Sequence, residues 1–426
     1  MTRLLYSCLM WALSPVLWLK LHLRARREPV YGQAIAERFG YYSQAASSGA
    51  LWIHAVSLGE TRAVGSLIKA LRLAYPDLRL LLTHGTATGR SEGVNLLLEG
   101  DVQAWLPWDT PAAVERFLAH FQPRMGVLID TEVWPNLTAI AHQQGVPLVL
   151  ANARLSEHSW RKAQRWSALA KPAFSSLQAV WAQTEEDAQR LRSLGAPVNA
   201  VMGNLKFDAV PDPQLLATGQ AWRNALNARP VVLLAISREG EEAIFLQTLQ
   251  QHPEYLQQAQ WWIVPRHPQR FDEVADLLQA SGLPWQRRSQ WPADVADVSA
   301  PNDVGLVLGD SLGEMPLYYG LASVALLGGS FAPLGGQNLI EACACDCPVV
   351  MGPHTFNFKQ AAEWAMKAQA GVRCSDMVDG MAQALAIASD RPRQQSMSQA
   401  AQLFASSHRG AVAHCVKALA ACLDKP

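Results

Sequence analysis

Along most of this chain, short apolar runs alternate with longer stretches of helical period. Leu51–Val56, Leu78–Thr83, Arg124–Asp130, Val146–Ala151, Gln178–Ala182 and Asn199–Met202 read as strands, and Thr61–Tyr75 as a helix. The runs are continuously apolar rather than alternating, which suits strands buried on both faces of a parallel sheet. The rhythm breaks over Lys206–Pro230, where Pro211 and Pro213 punctuate a polar stretch that reads as an inter-domain connection. It restarts with strands at Val231–Ile236, Trp261–Val264, Gly305–Leu308, Val324–Leu327 and Pro348–Met351, and a helix at Glu239–Gln250. Gln395–Leu423 is helical in pattern, and the polar run Ser289–Asn302 reads as a surface loop. The expected architecture is α/β, with two Rossmann-like, doubly wound parallel-sheet domains facing a cleft.

The first apolar run is of another kind. Leu4–Leu23 is interrupted only by Ser7, Ser14, Pro15, Lys20 and His22, and approaches the ~20 residues that a membrane-crossing helix needs. Tyr6, Trp11 and Trp18 suit a membrane interface, and Arg24, Arg26 and Arg27 follow at once, which favours a cytoplasmic downstream chain. A secretory signal would carry its positive cluster on the other flank and a small-residue cleavage motif. Residues 1–23 therefore read as a membrane anchor, spanning or interfacial, with a buried first helix as the alternative. No later run is long enough to span.

Composition narrows the function. A chain of 426 residues, half of them hydrophobic, exceeds one ordinary core. Lys plus Arg and Asp plus Glu number 36 each, so no global field recruits nucleic acid, and an anionic partner must meet a local patch. Of seven cysteines, Cys343, Cys345 and Cys347 alternate inside an apolar stretch without zinc-site spacing. They read as small core residues of a cytosolic protein.

Ligands of open parallel sheets sit beyond the carboxyl ends of the strands. After the first strand, Ser57-Leu58-Gly59-Glu60 turns into a helix. Glu60 is either a helix-start carboxylate, stabilised by the positive end of the helix, or a general base. Asp130-Thr131-Glu132 is either a divalent-metal grip or a capping acid beside a substrate ligand. Arg266 and His267, bracketed by Pro265 and Pro268, either receive a phosphate or carboxylate or form a surface turn. Gly309 to Glu314, Gly328 to Phe331 and Gly335 to Asn338 are further polar, Gly-bearing strand ends. Such glycines let backbone approach a ligand, and free N–H groups at a helix start bind phosphate. Glu341, one turn on, is placed to accept ribose hydroxyls. Together these point to a nucleotide site in the second half. Arg24, Arg26, Arg27, Arg38, Arg62, Arg154, Arg161, Lys162 and Arg165 are either contacts for anionic lipid heads or scattered solvated charges.

Taken together, the motifs resemble the 3-deoxy-D-manno-octulosonic acid (Kdo) transferase family of lipopolysaccharide biosynthesis. The matching runs are Glu37–Gly40, His54–Glu60, Thr83–Gly89, Pro107–Asp109, Glu132–Asn136 and Asn152–Ser156. They continue with Gly203–Asp208, Gly240–Glu242, Pro265–Pro268, Gly309–Glu314, Gly328–Glu341 and Pro348–Phe358. The resemblance implies a GT-B fold, with an acceptor domain over 24–205 and a nucleotide-sugar domain over 206–426. It implies CMP-Kdo as donor and the tetraacylated, bisphosphorylated lipid A precursor as acceptor. The setting implied is the cytoplasmic face of the bacterial inner membrane, with membrane lipid as a further partner. Glu60 would deprotonate an acceptor hydroxyl, which attacks the anomeric carbon of Kdo with inversion through an oxocarbenium-like transition state.

Donor contacts are implied for Lys206, Arg266, His267, Gly309, Ser311, Gly313, Glu314, Gly335, Gly336, Asn338 and Glu341. Acceptor contacts are implied for Arg38, Ser57, Gly59, Glu132 and Arg154. Arg266 and Lys206 would hold anions, and N–H groups at Gly335 to Asn338 would stabilise the leaving group without metal or cofactor. Two positions depart from the family pattern. Ser237-Arg238 stand where Ser/Thr-His is usual, and His158 stands where Arg is frequent. Two alternatives carry other expectations: a UDP-sugar transferase acting on another lipid acceptor, and a non-catalytic, membrane-tethered nucleotide-sugar binder.

Overall fold

The computed structural model describes residues 2–26, 28–208, 210–225, 229–291 and 304–424. The chain divides into two compact units, Met1–Asp208 with Arg409–Pro426, and Ala209–His408.

The first unit holds a seven-stranded parallel sheet. Its strands are β1 (Leu51–His54), β2 (Leu80–His84), β3 (Val102–Trp105), β4 (Met125–Ile129), β5 (Leu148–Ala153), β6 (Ala179–Ala182) and β7 (Val198–Val201), ordered β3-β2-β1-β4-β5-β6-β7. Helices α1 (Arg3–Ala25), α2 (Leu58–Ala74), α3 (Ala87–Gly93), α4 (Pro111–Phe121) and α5 (Pro135–Gln143) belong to this unit. Both sheet faces are covered. Trp52, Leu81, Leu128 and Leu150 join Phe117 and Leu137 in one core, while Leu51, Ile53, Leu82 and Val127 join Leu67 and Ile68 in the other. This accounts for the continuously apolar strands.

The second unit repeats the plan with β8 (Val231–Ser237), β9 (Gln260–Pro265), β10 (Trp285–Arg287), β11 (Leu306–Leu308), β12 (Val324–Leu327), β13 (Val349–Met351) and β14 (Gly371–Arg373). Its order is β10-β11-β9-β8-β12-β13-β14, again wholly parallel.

Three features differ from the sequence reading. The stretch read as a connection contains a helix, Pro213–Ala225, whose Gly219 packs so closely on Leu317 that a Cβ would lie 2.1 Å from its carbonyl oxygen. The first unit continues through Asp208, so Lys206 belongs to it and not to the second. The final helix, Ala411–Leu423, also returns to the first unit. Asp208 caps that helix, accepting from Gly410 N–H at 2.6 Å and Val412 N–H at 2.7 Å. Its Ala411, Cys415, Leu419 and Leu423 complete the core containing Leu67 and Ile68. Most of the expected surface loop Ser289–Asn302 lies outside the described residues. Cys343, Cys345 and Cys347 are buried in the second unit, with free thiols.

Candidate active site

In the first sheet the strand order reverses between β1 and β4. In a doubly wound sheet this switch point opens a crevice beyond the strand ends. Val56 to Glu60 follow β1 there, and Asp130 to Glu132 follow β4.

Glu60 lies in the first turn of α2, and Ser57 is its N-cap. The Ser57 hydroxyl accepts from Glu60 N–H at 3.4 Å and donates to Glu60 Oε1 at 2.8 Å. Glu60 Oε2 in turn accepts from Val56 N–H at 2.7 Å. This reciprocal arrangement is a capping box, shifted by one residue on the return bond. The neighbouring strand end locks the other side of the loop. Thr86 donates to the Val56 carbonyl through its hydroxyl at 2.9 Å and its N–H at 3.0 Å. Gly89 packs so tightly that a Cβ would meet the same carbonyl oxygen at 2.7 Å. The run Thr83–Gly89 thus fixes the loop that presents Glu60. Gly59 is exposed beside it.

Burial and the nearby Asp130 charge raise the Glu60 carboxyl above the ordinary carboxylate range. The Val56 N–H, the Ser57 hydroxyl and the Lys206 ammonium oppose that rise. Glu132 stands close by. Burial pushes its carboxyl up to about 7, with Glu60 and Asp130 adding to the effect and the Trp134 indole N–H, 2.8 Å away, opposing it. The buried His54 ring lies 3.9 Å from Glu132, and burial holds its pKa down to about 3, so it is neutral here. A cluster of carboxylates in partial burial resists full ionisation, which tunes a carboxylate toward proton transfer near neutral pH.

Asp130 and Asn152 both sit at strand ends in the left-handed region, at φ 62 and 55. Asn152 Nδ2 donates to Asp130 Oδ1 at 2.5 Å, while Asn152 Oδ1 accepts from Leu205 N–H at 3.0 Å. The Asn152 carbonyl accepts from Gln183 at 2.8 Å, and Gln183 accepts from Asn204 at 3.0 Å. Asn204 then receives the Lys206 N–H at 3.0 Å. Three consecutive strand ends thereby clip the segment that brings Lys206 into the field of Glu60. Arg154, more than half exposed, reaches Asp130 at 3.4 Å.

Arg38 is used differently from the expectation. It is buried, its guanidinium donates to the Leu106 and Gly85 carbonyls at 3.1 and 2.9 Å, and it stacks on Trp105 at 4.2 Å. It braces the Gly85–Gly89 turn, with no spare donor face comparable to that of Arg154.

In the second sheet the switch point falls between β8 and β12. Ser237 ends β8 and Arg238 to Glu242 follow it, while Gly328 to Ser330 follow β12. The buried Glu241 carboxylate gathers the N–H groups of Gly329, Arg238, Phe331 and Ala332 at 2.8, 2.9, 3.1 and 3.2 Å. Glu242 accepts from Ser237 at 2.7 Å and forms a two-pronged pair with Arg270 at 2.7 and 3.2 Å. Ile236, a β-branched residue, holds φ 57 at this strand end. A Cβ on Gly328 would lie 2.3 Å from its carbonyl oxygen, so only glycine permits the approach.

Arg266 is half-buried just past β9, and His267 is exposed next to it. Partial burial lowers the imidazole pKa, helped by Arg266 and Arg238. Glu314 is engaged by Arg288 at 2.9 Å and by the Ser311 hydroxyl, which also meets Tyr318. Ser311 and Glu314 therefore bind each other, while Gly309 and Gly313 bound their turn. Gly335 and Gly336, at φ 90 and 78, pass under Asn357 and Thr355. The Gly336 N–H is spent on the Gly329 carbonyl at 2.8 Å. Asn338 caps the short helix Leu339–Ala344 and donates to Glu341 at 3.1 Å.

Of the departures from the family pattern, Arg238 pairs with Glu239 at 3.1 Å, and His158 is exposed on the helix Glu157–Arg165. Sequence reasoning missed Asn152 and Gln183 as the supports of Lys206, because only the fold brings them together.

Comparison with known proteins matches this arrangement to one family. The family described as 3-deoxy-D-manno-octulosonic-acid transferase (kdotransferase) matches residues 33–209. The 3-deoxy-D-manno-octulosonic acid transferase of Bordetella pertussis is 45% identical, covering 98% of this chain and 99% of its own. That of Haemophilus influenzae is 32% identical, covering 97% and 96%. The chain belongs to the Kdo transferase family. As a Kdo transferase it is a glycosyltransferase, with the two parallel-sheet units of the GT-B class. The S. aureus MnaA–UDP structure, 14% identical, shares that fold at a TM-score of 0.57 over 89% of this chain and 99% of the other.

Proposed function

We propose that this Kdo transferase moves Kdo from CMP-Kdo to the lipid A precursor, as a step of lipopolysaccharide inner-core assembly. The observation that carries the reading is Glu60 at the switch point of the first sheet, with its carboxyl raised by burial and by Asp130.

Glu60 takes the proton of an acceptor sugar hydroxyl as that oxygen attacks the anomeric carbon of Kdo. The bond from that carbon to the CMP phosphate oxygen breaks on the opposite face, giving inversion. Capping bonds from Ser57 and Val56 hold the carboxylate in place. Lys206 favours its ionised form electrostatically. Glu132 and Arg154, with Ser57 and Gly59, meet the acceptor, and Arg154 offers its exposed guanidinium to an anionic group. Arg38 serves this side by bracing the loop.

In the second unit, Arg266 and His267 meet donor anions. Gly309, Ser311, Gly313 and Glu314, with Gly335, Gly336, Asn338 and Glu341, surround the nucleotide. Charge on the leaving monophosphate falls to protein donors, as positioned hydrogen-bond donors do at other developing oxyanions. The apolar helix α1 holds the enzyme at the cytoplasmic face of the inner membrane, where a lipid acceptor is met.

The test is transfer onto purified lipid A precursor with CMP-Kdo generated in situ, UDP-sugars run in parallel, and products resolved by mass. A gain of one or more Kdo masses, absent in Glu60→Ala, is expected. An adduct of another sugar, or none beside an active control enzyme, overturns the reading.

A further inference from the structure

Helix α1 spans Arg3–Ala25, and at 1.5 Å per residue it is about 34 Å long. That length is close to the ~30 Å hydrocarbon core of a bilayer, so length alone permits crossing. The contacts of the helix point elsewhere. Its half-buried positions are Tyr6, Ser7, Met10, Ser14, Leu17, Leu21 and Ala25. They recur at three- and four-residue spacing and form one face along the whole helix.

That face rests on the first unit at both ends. Near the start, the Ser7 hydroxyl donates to Asn136 Oδ1 at 2.9 Å. Asn136 Nδ2 in turn donates to the Asp109 carbonyl at 2.7 Å. The Asp109 carboxylate caps α5 through the Asn136 and Leu137 N–H groups at 3.0 and 2.7 Å, with Tyr6 beside it. Near the end, Leu21 and Ala25 pack with Tyr31 and Trp105, and Arg24 stacks on Tyr31 at 4.3 Å. The opposite face, Leu5, Leu9, Ala12, Val16, Leu19 and Leu23, is entirely apolar and exposed.

A crossing helix cannot have its first and last turns both resting on the same globular unit, unless that unit enters the hydrocarbon too. We infer that α1 does not cross the bilayer: it lies in the plane of the membrane surface, its half-buried stripe docked on the first unit and its exposed apolar stripe in lipid. This refines the anchoring reading above and rests on it. Arg3, Lys20, Arg24 and Arg26 are exposed along this helix and its end, and their positive charge suits anionic lipid heads. Because α1 is tied to the first turn of α5, next to Trp134 and Glu132, the membrane surface is fixed relative to the acceptor residues. The acceptor headgroup is then met at the surface rather than drawn out to a body swinging on a tether.

The experiment uses the full chain in vesicles of phosphatidylethanolamine and phosphatidylglycerol, bound from outside, in a Cys8→Ala background. Thr2→Cys and Arg26→Cys are each exposed to a membrane-impermeant maleimide. Both are expected to label equally without detergent. Labelling of Thr2→Cys only after detergent would place the two ends of α1 on opposite sides and overturn the in-plane arrangement. Protein that fails to float with the vesicles would overturn the anchoring reading itself, and the in-plane arrangement with it.

Discussion

The Glu60 carboxylate accepts the Val56 backbone N–H at 2.7 Å, so the proposed base also closes the cap of its own helix. The two roles separate chemically. Glutamine retains an oxygen for the Val56 N–H and donors for the Ser57 hydroxyl, but it cannot take a proton. Glu60→Gln is expected to lower the transfer rate by about 10²- to 10⁴-fold, the usual worth of a positioned base. Its thermal midpoint should stay near that of the parent. Glu60→Ala should lose the rate and, in addition, about 1 kcal/mol of stability through the lost cap. Rate assays beside thermal melts check both, and a Gln variant within tenfold of the parent rate would remove Glu60 as the base.

Glu132 gives a pH signature. Its carboxyl is pushed up from 4.5 to about 7, chiefly by burial. Between those values the folded chain keeps a proton that the unfolded chain releases. Stability contributed by this group is therefore fully present at low pH and falls as pH rises through the window, by at most about 3 kcal/mol. Glu132→Gln should flatten that part of the stability–pH curve. Urea unfolding at pH 5 and pH 8 measures the difference, and an unchanged slope in the variant would assign the titration elsewhere.

How much of this could be read in advance depended on the range of the interaction involved. The helix start that carries Glu60 was legible because Ser57 and Glu60 lie three apart after a continuous apolar strand, a local signal. The central strands were legible because both their faces are covered. Strands β3, β10 and β14 were not, since Val102 and Gln103 in β3, all of β10, and Val372 and Arg373 in β14 are partly or fully exposed and dilute the apolar run. Lys206 reads as part of the second unit because it opens the break in rhythm over Lys206–Pro230, yet the first unit runs on through Asp208. What retains the Lys206 segment is the side chain of Asn152, distant in sequence. Likewise, Arg38 lies in a family motif, yet its burial on Trp105 is a tertiary fact that no spacing reveals.

Asn152 makes that long-range support testable. It is buried, adopts φ 55, and bonds Asp130 on one side and Leu205 N–H on the other. Alanine leaves both partners unsatisfied and fits the left-handed region less well than asparagine. Asn152→Ala is expected to cost about 3 kcal/mol in denaturant unfolding. The transfer rate should fall as well, because Lys206 loses its fixed place near Glu60. Parent-like stability would show that the Lys206 segment is held by other bonds.

In the second unit the corresponding device is Glu241, whose two oxygens gather four N–H groups of the β8 and β12 ends. Glutamine has one acceptor oxygen, and its amide nitrogen would turn a donor toward backbone donors. Glu241→Gln is therefore expected to loosen the Gly328 to Ala332 turn and cost about 2 kcal/mol. If that turn shapes the donor site, the KM for CMP-Kdo should rise at least about tenfold, the change worth roughly 1.4 kcal/mol of binding, while the KM for the lipid acceptor stays put. Gly328→Ala should reproduce the donor defect by a different route, since its Cβ would lie 2.3 Å from the Ile236 carbonyl oxygen. Steady-state kinetics with each substrate varied in turn separates the cases. Equal changes in both KM values would mean that the turn supports the whole fold, because a defect confined to the donor side moves only one of them.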